Sequence, residues 1–153
     1  MHDDIPNKTL YLDDLSAGDE FRSGEHRIDA DQIKTYARQF DPQSFHVDED
    51  AARDTFFGGL AASGWHTASI TMKLLVDSLP FAHGVIGAGG EIRWPRPTRP
   101  GDVLSVRSTV LEITPSRSKP NQALVKLESL TVNQDGEVCQ RLVANLLAFR
   151  RPG

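Results

Sequence analysis

The chain has one cysteine, Cys139, among 153 residues. No disulfide can form within it, and a reducing, cytoplasmic setting is expected. Cys139 falls in an expected strand with no base close in sequence, which reads as packing, not nucleophilic chemistry. No apolar run approaches the roughly 20 residues needed to cross a bilayer. The first residues, Met1-His2-Asp3-Asp4-Ile5-Pro6, are acidic and lack the apolar stretch of a secretory signal. There is no excess of positive charge either: the net charge of −4 argues against nucleic acid as the main partner. His2, His26, His66 and His83 lie apart without ligand spacing, so neither a metal nor any other cofactor is expected. No internal repeat, low-complexity tract or linker divides the chain.

What remains is an ordinary globular composition, 39% hydrophobic and 25% charged, at a length that suits one domain spanning 1–153 with a real core. Residues 1–14 read as a polar N-terminal arm, with an edge strand at Leu10-Tyr11-Leu12. Glu20 to Ile28 reads as a strand. Asp29 starts a helix as a D-x-x-Q capping box, and Ile33, Tyr36, Ala37 and Phe40 give it one apolar face. Pro42 ends it, because the residue before a proline is pushed out of the α region. Asp48 caps a second short helix running to about Thr55. A third, from Ser63-Gly64 to about Leu79, carries a stripe of Trp65, Ala68, Met72, Leu75, Val76 and Leu79. With Ile70 and Leu74 off that stripe, it is expected to be buried on most sides. Such a helix needs a sheet wrapped round it. Val85–Trp94, Val103–Ile113, Ala123–Val132 and Val138–Phe149 supply four more strands, the last two joined by an Asn133-Gln134-Asp135-Gly136 hairpin. The expected class is α+β: an antiparallel sheet of about five strands around a long central helix.

The stretch with chemistry in it is Phe40-Asp41-Pro42-Gln43-Ser44-Phe45-His46, an acid and a histidine five residues apart across a proline-broken turn. Asp41 and His46 can together hold one water and shuttle its protons, and an unperturbed imidazole titrates at about 6.5, near working pH. Gly64, at the head of the long helix, offers a backbone N–H backed by the helix dipole. Arg93, Arg96 and Arg99, and further on Arg117 and Lys119, are either ordinary surface or receivers for the phosphates of an anionic ligand. Trp94 either lines a tunnel or packs the sheet. Trp65 and Met72 read as core, and His66 as structural or surface.

Together with Ala62-Ser63-Gly64, Trp94-Pro95-Arg96-Pro97, Arg99-Pro100-Gly101-Asp102 and the Asn133–Val138 hairpin, this stretch resembles the MaoC-like dehydratases. These are also called type 2 or (R)-specific enoyl-CoA hydratases, and have the hotdog fold. The resemblance covers roughly residues 15–150. Asp41 and His46 keep the family's spacing; Gln43 stands where the family usually has Asn, Ser44 where it has Pro, and Ser63 where strict hydratases often carry His. It implies a hydro-lyase adding or removing water at a 2-enoyl/3-hydroxyacyl thioester of CoA or acyl carrier protein. Asp41 and His46 would handle the water and Gly64 N–H would hold the thioester oxygen. Gln43, Phe57, Ser63, Trp65, Trp94 and Arg96 are expected to contact substrate. The resemblance also implies a homodimer with sheets joined edge to edge and pantetheine running between protomers. A hotdog thioesterase, disfavoured because Asp77 is the only acid on the long helix, and a non-catalytic acyl-CoA-binding subunit are the alternatives.

Overall fold

The computed structural model describes residues 8–153; the first half of the expected arm lies outside the described residues. Five antiparallel strands, β1 (Glu20–Arg27), β2 (Ile86–Arg93), β3 (Val103–Pro115), β4 (Gln122–Val132) and β5 (Val138–Phe149), form one sheet in the order β1-β3-β4-β5-β2. Four helices accompany it: α1 (Ala30–Phe40), α2 (Ser44–Val47), α3 (Glu49–Ala52) and α4 (Gly64–Ser78). The α+β hotdog architecture expected from the sequence is the one observed. α4 lies on the sheet and packs mainly against β1, β3 and β5.

The strand positions follow from alternation. In β3, Leu104, Val106 and Val110 are buried between partly exposed neighbours, and in β4 Ala123, Val125 and Leu127 do the same. These side chains meet Ile70, Leu74 and Leu75 of α4 in the core. The Asn133–Gly136 turn closes with Gly136 N–H donating to Asn133 O, and Gly136 takes φ +75°, a conformation that favours glycine.

Four expectations need correction. Leu10-Tyr11-Leu12 is not an edge strand: Leu10 makes a single parallel bridge to Phe81, and Leu12–Asp14 is a 3-10 turn. Asp29 caps α1 by accepting from Gln32 N–H at 2.8 Å, but the box is only half formed, because the Gln32 side chain turns to His26 and Arg27 O instead. Asp48 caps α3 through Asp50 and Ala51 N–H, yet that helix stops at Ala52.

The fourth concerns α4. It is buried on one face only. The inner face is His66, Thr67, Ile70, Thr71, Leu74 and Leu75, while Trp65, Met72 and Val76 of the expected core stripe are 58%, 43% and 51% exposed. Hydrophobicity alone misassigned the faces, because threonines paired by hydrogen bonds can be buried as readily as apolar residues.

Candidate active site

Asp41 sits at the C-cap of α1, where Pro42 stops the helix, and its N–H still closes the last turn on Ala37 O. The following residues form the single turn α2, so His46 is carried on a helical turn of its own. His46 is buried, and its Nδ1 lies 2.6 Å from Ala61 O. A carbonyl only accepts, so Nδ1 carries the proton and, in the neutral ring, Nε2 keeps its lone pair. That Nε2 stands 3.4 Å from Asp41 Oδ2.

Gln43 donates its amide to Asp41 Oδ1 at 2.6 Å. Burial pushes the Asp41 carboxyl up, but hydrogen bonds from Gln43 and Ser63 and the attraction of His46 outweigh it and hold the group below the ordinary carboxylate value. Asp41 is therefore ionised at neutral pH. A carboxylate and an imidazole lone pair side by side are two acceptors, and a water donating to both satisfies them.

The pair opens onto a cavity of about 450 Å³ whose lining includes Phe57, Gly64, Trp65, Thr67, Trp94 and Thr98. This volume lies within the usual range for small-molecule sites. Across the cavity stands the head of α4. Ser63 is its N-cap, with the hydroxyl accepting from Trp65 N–H at 3.3 Å. Gly64 is the first helical residue, so its N–H has no intrahelical carbonyl to bond and the helix dipole lies behind it.

Of the residues expected at the site, Asp41, His46, Phe57, Gly64, Trp65, Trp94 and Arg96 line the cavity. Gln43 and Ser63, expected to contact substrate, are not among the lining residues: Gln43 donates to Asp41, and Ser63 is fully buried under the helix start. Arg96 is ion-paired with Glu137 at 2.8 Å. Arg99 turns inward and donates to the carbonyls of Phe57, Gly59 and Leu60, tying the wall that holds Phe57 beside His46. Arg117 and Lys119 belong to the β3–β4 turn and not to the cavity lining. Burial pushes the Cys139 thiol up, in keeping with packing. No metal-binding group of His, Cys, Asp and Glu occurs among the described residues.

Sequence reasoning missed Thr67, Thr98 and Gln140. Thr67 and Thr98 share a hydrogen bond of 3.0 Å in the cavity lining, and Gln140 holds Trp94 from behind. The only signal for the threonines was their spacing next to residues already singled out.

Known proteins share the fold and much of the sequence. The structure superposes on the MaoC-like dehydratase of Rhodospirillum rubrum with a TM-score of 0.93 and 60% identity, over 94% of this chain and 99% of that one. The sequence is 29% identical to the 3-hydroxybutyryl-CoA dehydratase of Methylorubrum extorquens over 152 residues, 95% of each chain. It is 33% identical to the uncharacterized protein YdeM of Bacillus subtilis over 113 residues, 72% of this chain and 79% of that protein. Residues 15–133, from before β1 through the end of β4, match the MaoC like domain, and the chain belongs to that family.

Proposed function

We propose that the protein is a hydro-lyase that adds or removes water across a 2-enoyl/3-hydroxyacyl thioester. The observation that carries this reading is the 3.4 Å pairing of Asp41 Oδ2 with His46 Nε2, in one cavity with the free helix-head N–H of Gly64. In the hydration direction a water donates to both acceptors. His46 Nε2 takes one proton as the water oxygen bonds to Cβ, and the π pair moves onto the thioester as an enolate. Gly64 N–H receives that charge without reorganising; such a donor is typically worth about 2.7–4 kcal/mol in the transition state. The proton then passes from the Asp41–His46 pair to Cα, and the site returns to its starting state. No redox partner is required.

Membership of the family and the likeness to a 3-hydroxybutyryl-CoA dehydratase support a CoA thioester as substrate. Asp77, the only acid on α4, is exposed near the far end of the helix, which speaks against a thioesterase that directs water from that helix. The presence of both Asp41 and His46 speaks against a non-catalytic subunit.

The working unit in this reading is a homodimer. β2 pairs only with β5, so its other edge is open, and nearly all of its residues are exposed. Trp65, Met72 and Val76 present apolar surface on the outer side of α4. A second copy covers both features. Light scattering should give twice the chain mass at micromolar concentration; a stable monomer would refute the dimer.

The test of the activity is to add purified protein to crotonyl-CoA and follow the enoyl absorbance. Loss of absorbance is expected, falling roughly 10²–10⁴-fold in rate for His46→Ala. An unchanged signal across several chain lengths, or full activity in the variant, would overturn the reading.

A further inference from the structure

We propose that Gln140 is a positioning residue that locks the Trp94 indole against Gly64, and that this fixed wall makes the site reject acyl thioesters branched at Cα. The proposal rests on the reading of Gly64 N–H as the thioester-oxygen donor.

Thr131 of β4 faces Gln140 of β5, but Val132 faces Val138, so Cys139 is an extra residue at a bulge. Bulges re-aim side chains. Here the bulge breaks the alternation, and Cys139 and Gln140 are both fully buried. Gln140 is thereby turned under α4, beside its cross-strand neighbour Thr131.

Both reach the same helix residue. Thr71 Oγ1 donates to Thr67 O at 2.8 Å, which uses its one proton. Thr131 Oγ1, at 2.6 Å, must therefore donate to Thr71, and Gln140 Nε2 donates to it at 3.1 Å. With one donor and two acceptor positions filled, Thr71 is saturated. The amide orientation of Gln140 is then fixed from both ends, since Trp94 Nε1, which can only donate, lies 2.9 Å from Oε1.

The indole is held on three sides. Gln140 takes its N–H, Trp65 meets it edge-on with centroids 5.2 Å apart, and its ring junction lies directly on Gly64. A Cβ built on Gly64 would stand 2.7 Å from Trp94 Cε2 and 2.9 Å from Cδ2 and Cζ2. A thioester whose oxygen bonds Gly64 N–H has its carbonyl carbon, and so Cα one bond away, beside this wall. A hydrogen at Cα fits; a methyl group must displace a partly exposed indole whose N–H is tied to the buried Gln140. A pocket discriminates one such group by roughly 10–200-fold.

The test measures binding of butyryl-CoA and isobutyryl-CoA by calorimetry, which needs no turnover. The wild type should prefer the straight chain by about tenfold or more, and Gln140→Met should bring the ratio toward one. Trp94→Phe, which removes the indole N–H at a partly exposed position, should do the same. Gln140→Glu, which keeps an acceptor for the indole, should restore part of the preference. A second readout is independent of any acyl ligand: in a Trp65→Phe background, acrylamide quenching of Trp94 should rise at least about twofold on Gln140→Met, as the released indole samples solvent. Equal binding of the two thioesters by the wild type, or Trp94 quenching unmoved in Gln140→Met together with a binding ratio unmoved in both Gln140→Met and Trp94→Phe, would overturn the proposal. If the straight-chain preference and its loss are seen while crotonyl-CoA is not hydrated, the wall stands and the hydro-lyase reading alone fails.

Discussion

The two faces of α4 are built on opposite plans. The inner face sits on the sheet through Thr67, Thr71 and His66 as well as Ile70, Leu74 and Leu75, while the outer face shows Trp65, Met72 and Val76 to solvent. A simple rule of apolar residues inside would reverse this arrangement. The inner threonines are tolerated because they are paired: Thr67 with Thr98, and Thr71 with Thr131 and Gln140. Directional bonds fix the helix against sliding along the sheet, which dispersion alone does poorly. The head of the helix therefore stays in register with Asp41 and His46. On the outer face only Trp65 has a ring partner, Trp94, among the described residues, and Met72 and Val76 are exposed, which is the surface the proposed second copy would cover.

The largest effect should come from breaking the inner pins. Thr71→Val keeps the shape but strands the Thr131 hydroxyl and the Gln140 amide in the core. Urea unfolding should show a loss of about 2–4 kcal/mol. A loss under about 0.5 kcal/mol would mean that the pins are incidental.

Next in size is the response of the inner face to acid. His66 is buried, stacks on Tyr36 with centroids 4.4 Å apart, and leaves Nδ1 without a partner. Burial, helped by nearby His26, pushes its pKa down from 6.5 to about 4. The sign follows from which state binds the proton. Between these values the unfolded chain is protonated at this ring and the folded chain is not, so the contribution is full above about 6.5 and is lost as pH falls toward 4. At about 1.4 kcal/mol per pH unit, the total is at most about 3–4 kcal/mol. His66→Phe, which preserves the stack, should flatten this part of the stability profile. Parallel profiles for variant and wild type would show that His66 is not the group responsible.

The smallest effect on folding belongs to the outer face. Met72→Ser with Val76→Ser should change the unfolding free energy of the isolated protomer by no more than about 1 kcal/mol. It should nevertheless shift light scattering from dimer to monomer. If the double variant stays dimeric, the β2 edge alone makes the contact.

This contrast also marks how far the sequence could be read. All five strands were legible to within two residues, because alternation and explicit turns constrain them. So were the Asp29 and Asp48 caps. Asp41 and His46 could be picked out by spacing and family likeness, and they do share a cavity. The burial of α4 was not legible, because apolar residues occur on both of its sides and periodicity cannot choose between them. Nor was Gln140: a polar residue next to Arg141 reads as surface, and the bulge at Cys139 that turns it inward arises only from pairing with β4. The one-turn helix α2 was hidden for a related reason. Its four residues are too few for a period to show.

The central claim is that Asp41 and His46 act on one water. Hydration of crotonyl-CoA by Asp41→Asn, His46→Gln and the double variant tests it most directly, because groups that act as a unit are non-additive. The double variant should be no slower than the worse single one, to within a few-fold. A double variant whose loss equals the product of the two single losses would contradict the shared-water site.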